Sequence, residues 1–588
     1  MAGDLVTQLN DPGNVRQIPA AEQECVNELL REFSQYQVWR NTTAAHCEEI
    51  AQLILPTSRN TFFYGNFNWP GAKKTQQQVD ATGALALHRF CAIADSLVTP
   101  RGSHWHGLQG DDYVTKDRAS RLWFEQTTAD LFRLRYSAAA NFAAQNYNNW
   151  QSLGAFGNAT MYIDKIDNRW HRGSRGLRYK AIPFGETFYG ENHQGRVDKM
   201  YRWFKLTARQ AVQKWGRAAL PPNLIAPLLQ ESQWPYNFLH VVKPREDYDP
   251  DRLDVKALPF CSYYVSLEGR CLMAPEGGYR VFPFAVSRYD QTPQEVYGRG
   301  PAHIVLPSMK TKNAMKVTNL KQAHRNADPV LLLAEDGLTG MDLRPGAMNP
   351  GGVSPDGKPL VHVLPAGNYQ IAKEAMAEEG AIIDDVFLVS LFKVLTEHPD
   401  MTATQVIELV NEKGMLVAPT LGRQHTEYVG GMVPRELDLM AEQGMLRPMP
   451  PRLAEAVRAQ GHGAYEVTDT SPLAEAAKTG KVVGFNRTIE NLREMVNITG
   501  DQSLLDPIDF DAATPDIARI NGVPEKWMAS PDMIAAKRKA RAEAQQRQEA
   551  IQAAPAQAAI MKAAAVQAKS GLPTQQQLPA IQGGGVPQ

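Results

Sequence analysis

Apolar residues recur every three or four positions over several long stretches of the chain, the period of an amphipathic helix. Over residues 20–55 the series is Val26, Leu29, Leu30, Phe33 and Tyr36, and Pro56 ends it. A second series, Leu85, Leu87, Phe90, Ile93 and Leu97, predicts a helix over about 76–98. Residues 99–112 read as a polar loop. A longer helix is expected over 116–150, where Leu122, Trp123, Leu131, Phe132, Leu134 and Phe142 supply the apolar positions. From about 156 to 300 the period shortens. The runs TMYID (160–164), YKAIPF (179–184), FCSYYVSL (260–267) and YRVFPFAV (279–286) are separated by turn residues and predict strands. One helix interrupts them, LTARQAVQKWG at 206–216, closed by Gly216.

A helical period returns over 302–327 with one-sided charge. Residues 299–327 hold Arg299, Lys310, Lys312, Lys316, Lys321 and Arg325 and no Asp or Glu. Pro307 is expected to limit the helix start, and Asp328-Pro329 breaks it. Residues 329–367 are rich in Gly and Pro, with short apolar runs VLLL (330–333) and VHVL (361–364), and predict a small β excursion. A second long helix, over 369–395, carries Glu374, Glu378, Glu379, Asp384 and Asp385 against Lys373 and Lys393. A basic and an acidic helix thus flank one insertion, and antiparallel pairing would set opposite charges side by side. Thr402 and Gln405 have the spacing of a capping box, opening a helix that bends at Pro419 and runs to about Gln443. Residues 450–525 read as mixed helix and loop. From 531 Ala and Gln dominate, with Lys537, Arg538, Lys539 and Arg541 clustered. Helix is expected there up to Pro555 and disorder after Gly571.

With 588 residues, the chain exceeds what one core supports, and three to five units are expected at roughly 100–200 residues each. Its 62 basic and 63 acidic residues leave a net charge of -1, without the basic excess of a protein whose task is gripping nucleic acid. Five scattered cysteines, an odd number with no CxxC, argue against a disulfide framework and a zinc ribbon. The first residues lack the basic and apolar regions of a signal peptide, and no run of about 18 apolar residues predicts a membrane span.

Candidate chemistry is sparse. Gly352-Val353-Ser354-Pro355-Asp356-Gly357-Lys358 fits the spacing of a phosphate loop. Pro359 stands where a hydroxyl should hold magnesium, Pro355 removes an amide, and a strand-like run follows where a helix is needed, so a β-turn is the better reading. His104, His106, Asp111 and Asp112 share one loop, but without a helical HExxH or a second ligand group they read as polar loop around Trp105. HRGSRGLR, with His171, Arg172, Arg175 and Arg178, fits a solvated hairpin turn or a nucleic-acid contact. The lysine-rich run 299–325 fits a surface for DNA or an acidic partner, or a helix paired with the acidic helix. No Ser/His/Asp order, GxSxG or catalytic cysteine motif is present. No catalytic residues, metal ligands or cofactor are assigned.

Six segments in chain order carry a resemblance: LVTPRGSHWHGL (97–108), LGAFGNATMYI (153–163), FGETFYGENHQGRVDKMYRWFKLTARQAVQKWG (184–216), RYDQTPQEVYGRGPA (288–302), MTATQVIELVNEKGMLVAPTLGR (401–423) and GMLRPMPP (444–451). Together they resemble the head-to-tail connector, or portal, family of short-tailed bacteriophages over about 20–525. Arg101 departs from a family proline, and Gln405 from a family glutamate.

The resemblance implies an α+β portal fold. It comprises a mixed α/β wing (1–300 and 404–525), antiparallel stem helices (301–327 and 368–395), a small α/β clip (328–367), a tunnel loop (396–403) and a helical crown with a low-complexity tail (526–588). It implies a structural ring, not an enzyme. The ring, a dodecamer, would sit at the capsid portal vertex of the virion and be assembled in the host cytoplasm. It would meet the major capsid protein, scaffold protein, terminase large subunit, tail adaptor protein and double-stranded DNA in transit. Channel candidates are Glu374, Glu378, Asp384, Asp385, His398 and Asp400, and basic stem candidates are Lys310, Lys312, Lys316, Lys321 and Arg325. Cation-rich walls would hold phosphates and stall translocation, so the acids of 374–385 are expected nearer the lumen than the lysines. Another virion tail or adaptor protein and, less well, a packaging nuclease or ATPase are the alternatives.

Overall fold

A computed structural model of the chain describes residues 18–55, 62, 78–166, 175–221, 224, 233–333, 341–342, 344–364, 369–390, 421–460, 465–500, 507–520, 523 and 525–569. These form two units, 1–508 and 509–588, in an α+β arrangement. The first unit opens with helices α1 (Ala20–Ile54) and α2 (Thr82–Val98), strand β1 (His106–Gly110), and helices α3 (Arg118–Arg135) and α4 (Phe142–Phe156). Strands β2 (Asn158–Lys165), β3 (Leu177–Ile182), β4 (Thr187–Glu191) and β5 (Val197–Thr207) follow, then α5 (Ala208–Trp215). Next come β6 (Pro235–Pro244), β7 (Phe260–Ser266), β8 (Cys271–Leu272), β9 (Gly277–Tyr279) and β10 (Phe284–Arg288). Helix α6 (Pro301–Ala327), strands β11 (Leu331–Leu333) and β12 (Val361–Val363) and helix α7 (Tyr369–Val386) make a hairpin with an insertion at its end. Beyond it lie α8 (Gly430–Glu442), α9 (Pro451–Gln460), β13 (Tyr465–Asp469) and α10 (Pro472–Thr499).

Among the described residues all strand pairings are antiparallel. One sheet runs β4-β5-β6-β7-β8, with β9 also on β7; a second has the order β10-β2-β3. Helix α1 lays Val26, Leu29 and Phe33 on Tyr201, Leu239, Val241 and Val265 of the larger sheet, and alternation of facing residues along those strands supplies the apolar side. Helix α5 starts on a capping box, Thr207 with Gln210, and stops at Gly216, whose φ of 88° suits glycine.

Several expectations change. The helix expected over 116–150 is two, α3 and α4, because Asn141 adopts a left-handed φ of 57°, which asparagine tolerates better than other non-glycine residues. Leu85 points outward, 56% exposed, since Gly83, Ala86, Leu87 and Phe90 form the inward face of α2. The polar loop 99–112 contains β1, which pairs with β13 more than 350 residues away, His106 opposite Asp469. Pro307 does not limit α6: the helix begins at Pro301, where a proline costs no hydrogen bond, and runs through Pro307. The acidic helix is interrupted after Val386, where Leu388 turns to a φ of 63°; residues 389–390 are helical again, and 391–395 lie outside the described residues. Proline 283 divides YRVFPFAV into the end of β9 and β10.

Strands β4, β5, β6 and β13 went unread, as did their pairings. His171 and Arg172, the bend at Pro419, the capping pair Thr402 and Gln405, the tunnel loop and the extreme tail lie outside the described residues. In the second unit, α11 (Phe510–Ile520) precedes α12 (Pro531–Lys569), which continues past Pro555, where an end was expected.

Candidate functional site

The helical hairpin is the feature through which the charged candidates become one object. Its base is fixed by backbone contact that only glycine permits. Gly157 has a φ of 68°, and a Cβ there would overlap the Arg299 carbonyl carbon; a Cβ on Gly300 would lie 2.7 Å from the Gly157 nitrogen. Asn158 clamps the same crossing. Its amide nitrogen donates to Gly298 O (2.7 Å), and its amide oxygen accepts from Gly298 N (2.8 Å). At the start of α6 the Gly300 N–H donates to Nδ1 of His303. Burial pushes His303 down to about 4.

The first turns of α6 are packed into the base. Met309 is buried against Gly83, Asn313 accepts the backbone N–H groups of Val79 (2.8 Å) and Asp80 (3.1 Å), and Lys310 pairs with Glu49 of α1 at 2.6 Å. Helix α7 returns to the base through Ile383 and Phe387, the latter edge-on to Phe90 of α2, while Asp384 lies 4.0 Å from Arg89.

Asn319, buried, approaches Met376, and Lys312 lies over Gly380, where a Cβ would stand 2.5 Å from its Nζ. These two contacts set the helices antiparallel. The expected side-by-side charge pairing does not occur: among the described residues, no cation of α6 lies within 4.0 Å of a carboxylate of α7. Lys312 and Lys316 are half-buried, whereas Lys310, Lys321, Arg325, Glu374, Glu378 and Asp385 are exposed and Asp384 half-exposed. Residues four apart share a helix face. The exposed acids share one on the side of α7 opposite Gly380, Ile383 and Phe387. His398 and Asp400 lie outside the described residues.

Within the insertion, Leu331 pairs with Val363 and Leu333 with Val361. The phosphate-loop mimic is a tight turn. Ser354 N donates to Lys358 O and Gly357 N to Ser354 O, Val353 bridges Pro359, and Gly357 takes a φ of 76°. Two of the amides a phosphate would need are thus occupied by the turn itself.

The polar groups of the other candidate loop serve the fold. His106 is fully buried, and its Nε2 accepts from Arg135 Nη2 at 2.8 Å; His104 packs tilted against the Phe132 ring; Asp111 caps the turn at Val114. Arg135, also fully buried, binds Glu436 of α8 through Nε (3.0 Å) and Nη2 (2.5 Å), and Tyr179 donates to the same carboxylate. Burial works against the Arg135 cation, but Glu436 outweighs it and raises the pKa. Burial, with Arg135 adding repulsion, holds His106 well below its usual range. No group of three or more His, Cys, Asp or Glu suited to a metal occurs among the described residues.

A second cluster joins β10 to the π-helical turn His425–Val429 that precedes α8. Arg288 donates to Glu427 (Nη2, 2.8 Å) and to Glu191, and Arg423 donates to Glu427 at 3.0 Å. Sequence reasoning missed both clusters, because their members stand up to 301 positions apart and carry no local spacing. Of HRGSRGLR, Arg178 is exposed and donates to Ala139 O at 2.8 Å.

An α+β base that commits its buried charges to internal pairs and carries a long charged hairpin has the build of an assembly component. The chain belongs to the family of bacteriophage head to tail connecting proteins, whose model matches residues 26–528. It is 25% identical over 548 residues to a probable portal protein of Bordetella phage BPP-1, covering 90% of this chain and 93% of that relative. It is 23% identical over 563 residues to a portal protein of Salmonella phage epsilon15, covering 92% and 94%. The family is structural rather than catalytic, and its members are virion components. No helix among the described residues is long and apolar enough to cross a membrane.

Proposed function

We propose that the chain is the subunit of a portal ring, the conduit for genome packaging and ejection at one capsid vertex of a short-tailed phage. The observation that carries the reading is the hairpin: two charged helices, anchored at one end in a family-matched base and joined at the other by a small β insertion. On this reading the base (1–300 and 404–525) is the wing, α6 and α7 the stem, 328–367 the clip, 396–403 the tunnel loop, and 526–588 the crown and tail. Twelve copies would close around double-stranded DNA. The ring would nucleate head assembly with scaffold and major capsid proteins, and the clip would dock the terminase large subunit and then the tail adaptor.

The hairpin serves as the channel wall, with Glu374, Glu378, Asp384 and Asp385 nearer the bore than Lys312 and Lys316. The outward direction of the acidic stripe and the half-buried state of those two lysines support this order. A mixed or acidic wall keeps the duplex mobile, since each neutralised phosphate adds to the hold. The test is negative-stain microscopy of the purified chain with its mass by light scattering. A ring with a central hole near twelve subunits is expected. A folded monomer that hydrolyses ATP or cleaves DNA would sink the reading.

A further inference from the structure

The hairpin turns its two charges in opposite directions. Asn319 stands opposite Met376 at the contact between α6 and α7. Counting outward from that pair, Lys321 and Glu374 lie two residues away in the same axial direction. Lys310 and Asp385 lie nine residues away in the other. At about 1.5 Å per residue, each cation is level with one carboxylate, but on the far side of the hairpin.

The spacings keep each charge on one face. Lys310, Lys321 and Arg325 fall within about 60° of one another around α6, and Glu374, Glu378 and Asp385 within about 40° around α7, at 100° per residue. All six are exposed. Among the described residues, Lys321, Arg325, Glu374, Glu378 and Asp385 have no ion pair. The middle of the basic face holds Ala314 and Thr318, and the acidic face holds Ala377 and Ala381, all exposed. Ile382, 43% exposed, lies beside the acids.

We propose that the acidic face of α7 docks against the basic face of α6 of a second copy of this chain, with Lys321 meeting Glu374 and Arg325 serving a neighbouring carboxylate. The contact is heterologous, since the two faces differ, and repeated rotation closes such a contact into a ring. Rotation about an axis along the hairpin preserves height, which is why the matching levels matter. Small residues at the centre of both faces let the helices approach while the long side chains meet across them. The inference rests on the ring reading and names the seam between subunits. Carboxylates bordering the bore would then be neutralised from the neighbour, giving DNA a wall that neither grips nor repels it.

The full-length chain tests this through charge reversal at exposed helix positions, where Lys and Glu have similar helix propensity. Lys321→Glu and Glu374→Lys are each expected to lower the ring fraction at low salt by about tenfold or more, from like charges repeated at every seam. The double variant Lys321→Glu/Glu374→Lys is expected to restore it. In wild-type rings, a zero-length carbodiimide is expected to couple Lys321 to Glu374 or Glu378, a link that opposite faces of one hairpin cannot make. Single variants that assemble like wild type, a double variant that stays unassembled, or rings without that coupling would each overturn the seam while leaving the ring reading intact. Wild-type protein that is folded yet forms no ring would overturn the ring reading itself, and the seam with it.

Discussion

Arg135 is fully buried, yet its guanidinium is held by Glu436, by Nε2 of His106 and by the faces of Trp105 and Phe132, 4.5 and 4.8 Å from their ring centres. A buried charge is tolerated where a partner and hydrogen bonds replace water. The same burial makes histidine a liability in acid. Burial holds His106 and His240 well below their usual range and His303 at about 4. Cations add to the effect: Arg135, His425 and His104 face His106; Lys214 and Arg202 face His240; His46 and Arg299 face His303. A folded pKa below the unfolded value of about 6.5 means that the unfolded chain binds more protons. Stability is therefore fully present above about pH 6.5 and falls as pH drops toward 4, for His303 by roughly 1–2 kcal/mol at pH 5. Thermal unfolding of wild type and His106→Gln at pH 7.5 and pH 5 checks this; the pH-induced loss should be smaller in the variant.

At the scale of elements, the hairpin is strong where it meets the base and polar where it leaves it. Met309, Asn313 and Lys310 tie the first turns of α6 to α1, α2 and the residues before α2, and Phe387 ties the end of α7. The crossing of the α4 end with the start of α6 depends on Gly157. Gly157→Ala adds a Cβ where φ is 68° and the Arg299 backbone occupies the space. A loss of about 2 kcal/mol or more is expected from strain and overlap together. Denaturant midpoints would show it. An unchanged midpoint would mean that the hairpin base yields more easily than its contacts indicate.

For the whole molecule, a net charge of -1 and cations distributed between the inner and outer faces of one hairpin argue against a tight DNA grip. Phosphate neutralisation supplies most non-specific affinity. Binding of a short duplex to the assembled protein, measured by fluorescence anisotropy at about 0.15 M salt, should therefore be weaker than about 10 μM. Tighter, steeply salt-dependent binding would place the lysines, rather than the acids, at the bore. The lysine-rich run illustrates the distinction: its composition fits a surface for DNA or an acidic partner as well as a helix paired with the acidic helix, and in the fold Lys310 binds Glu49 while Lys312 packs over Gly380 of that acidic helix.

The sequence by itself determined the elements whose signals are local. The apolar periods of α1 and α2, the capping box of α5 and the short runs that became β2, β7, β11 and β12 all act within a few residues, through side-chain direction and backbone preference. It also marked the basic and acidic helices and, through six ordered segments, the family. Only the tertiary structure decided the pairing of β1 with β13, the Arg135–Glu436 and Arg288–Glu427 clusters, and the directions in which the hairpin charges point. Those features depend on which distant segments share a core. A lysine has the same spacing along a helix whether it faces a glycine, a carboxylate or water; the packing of the opposite face settles which it meets.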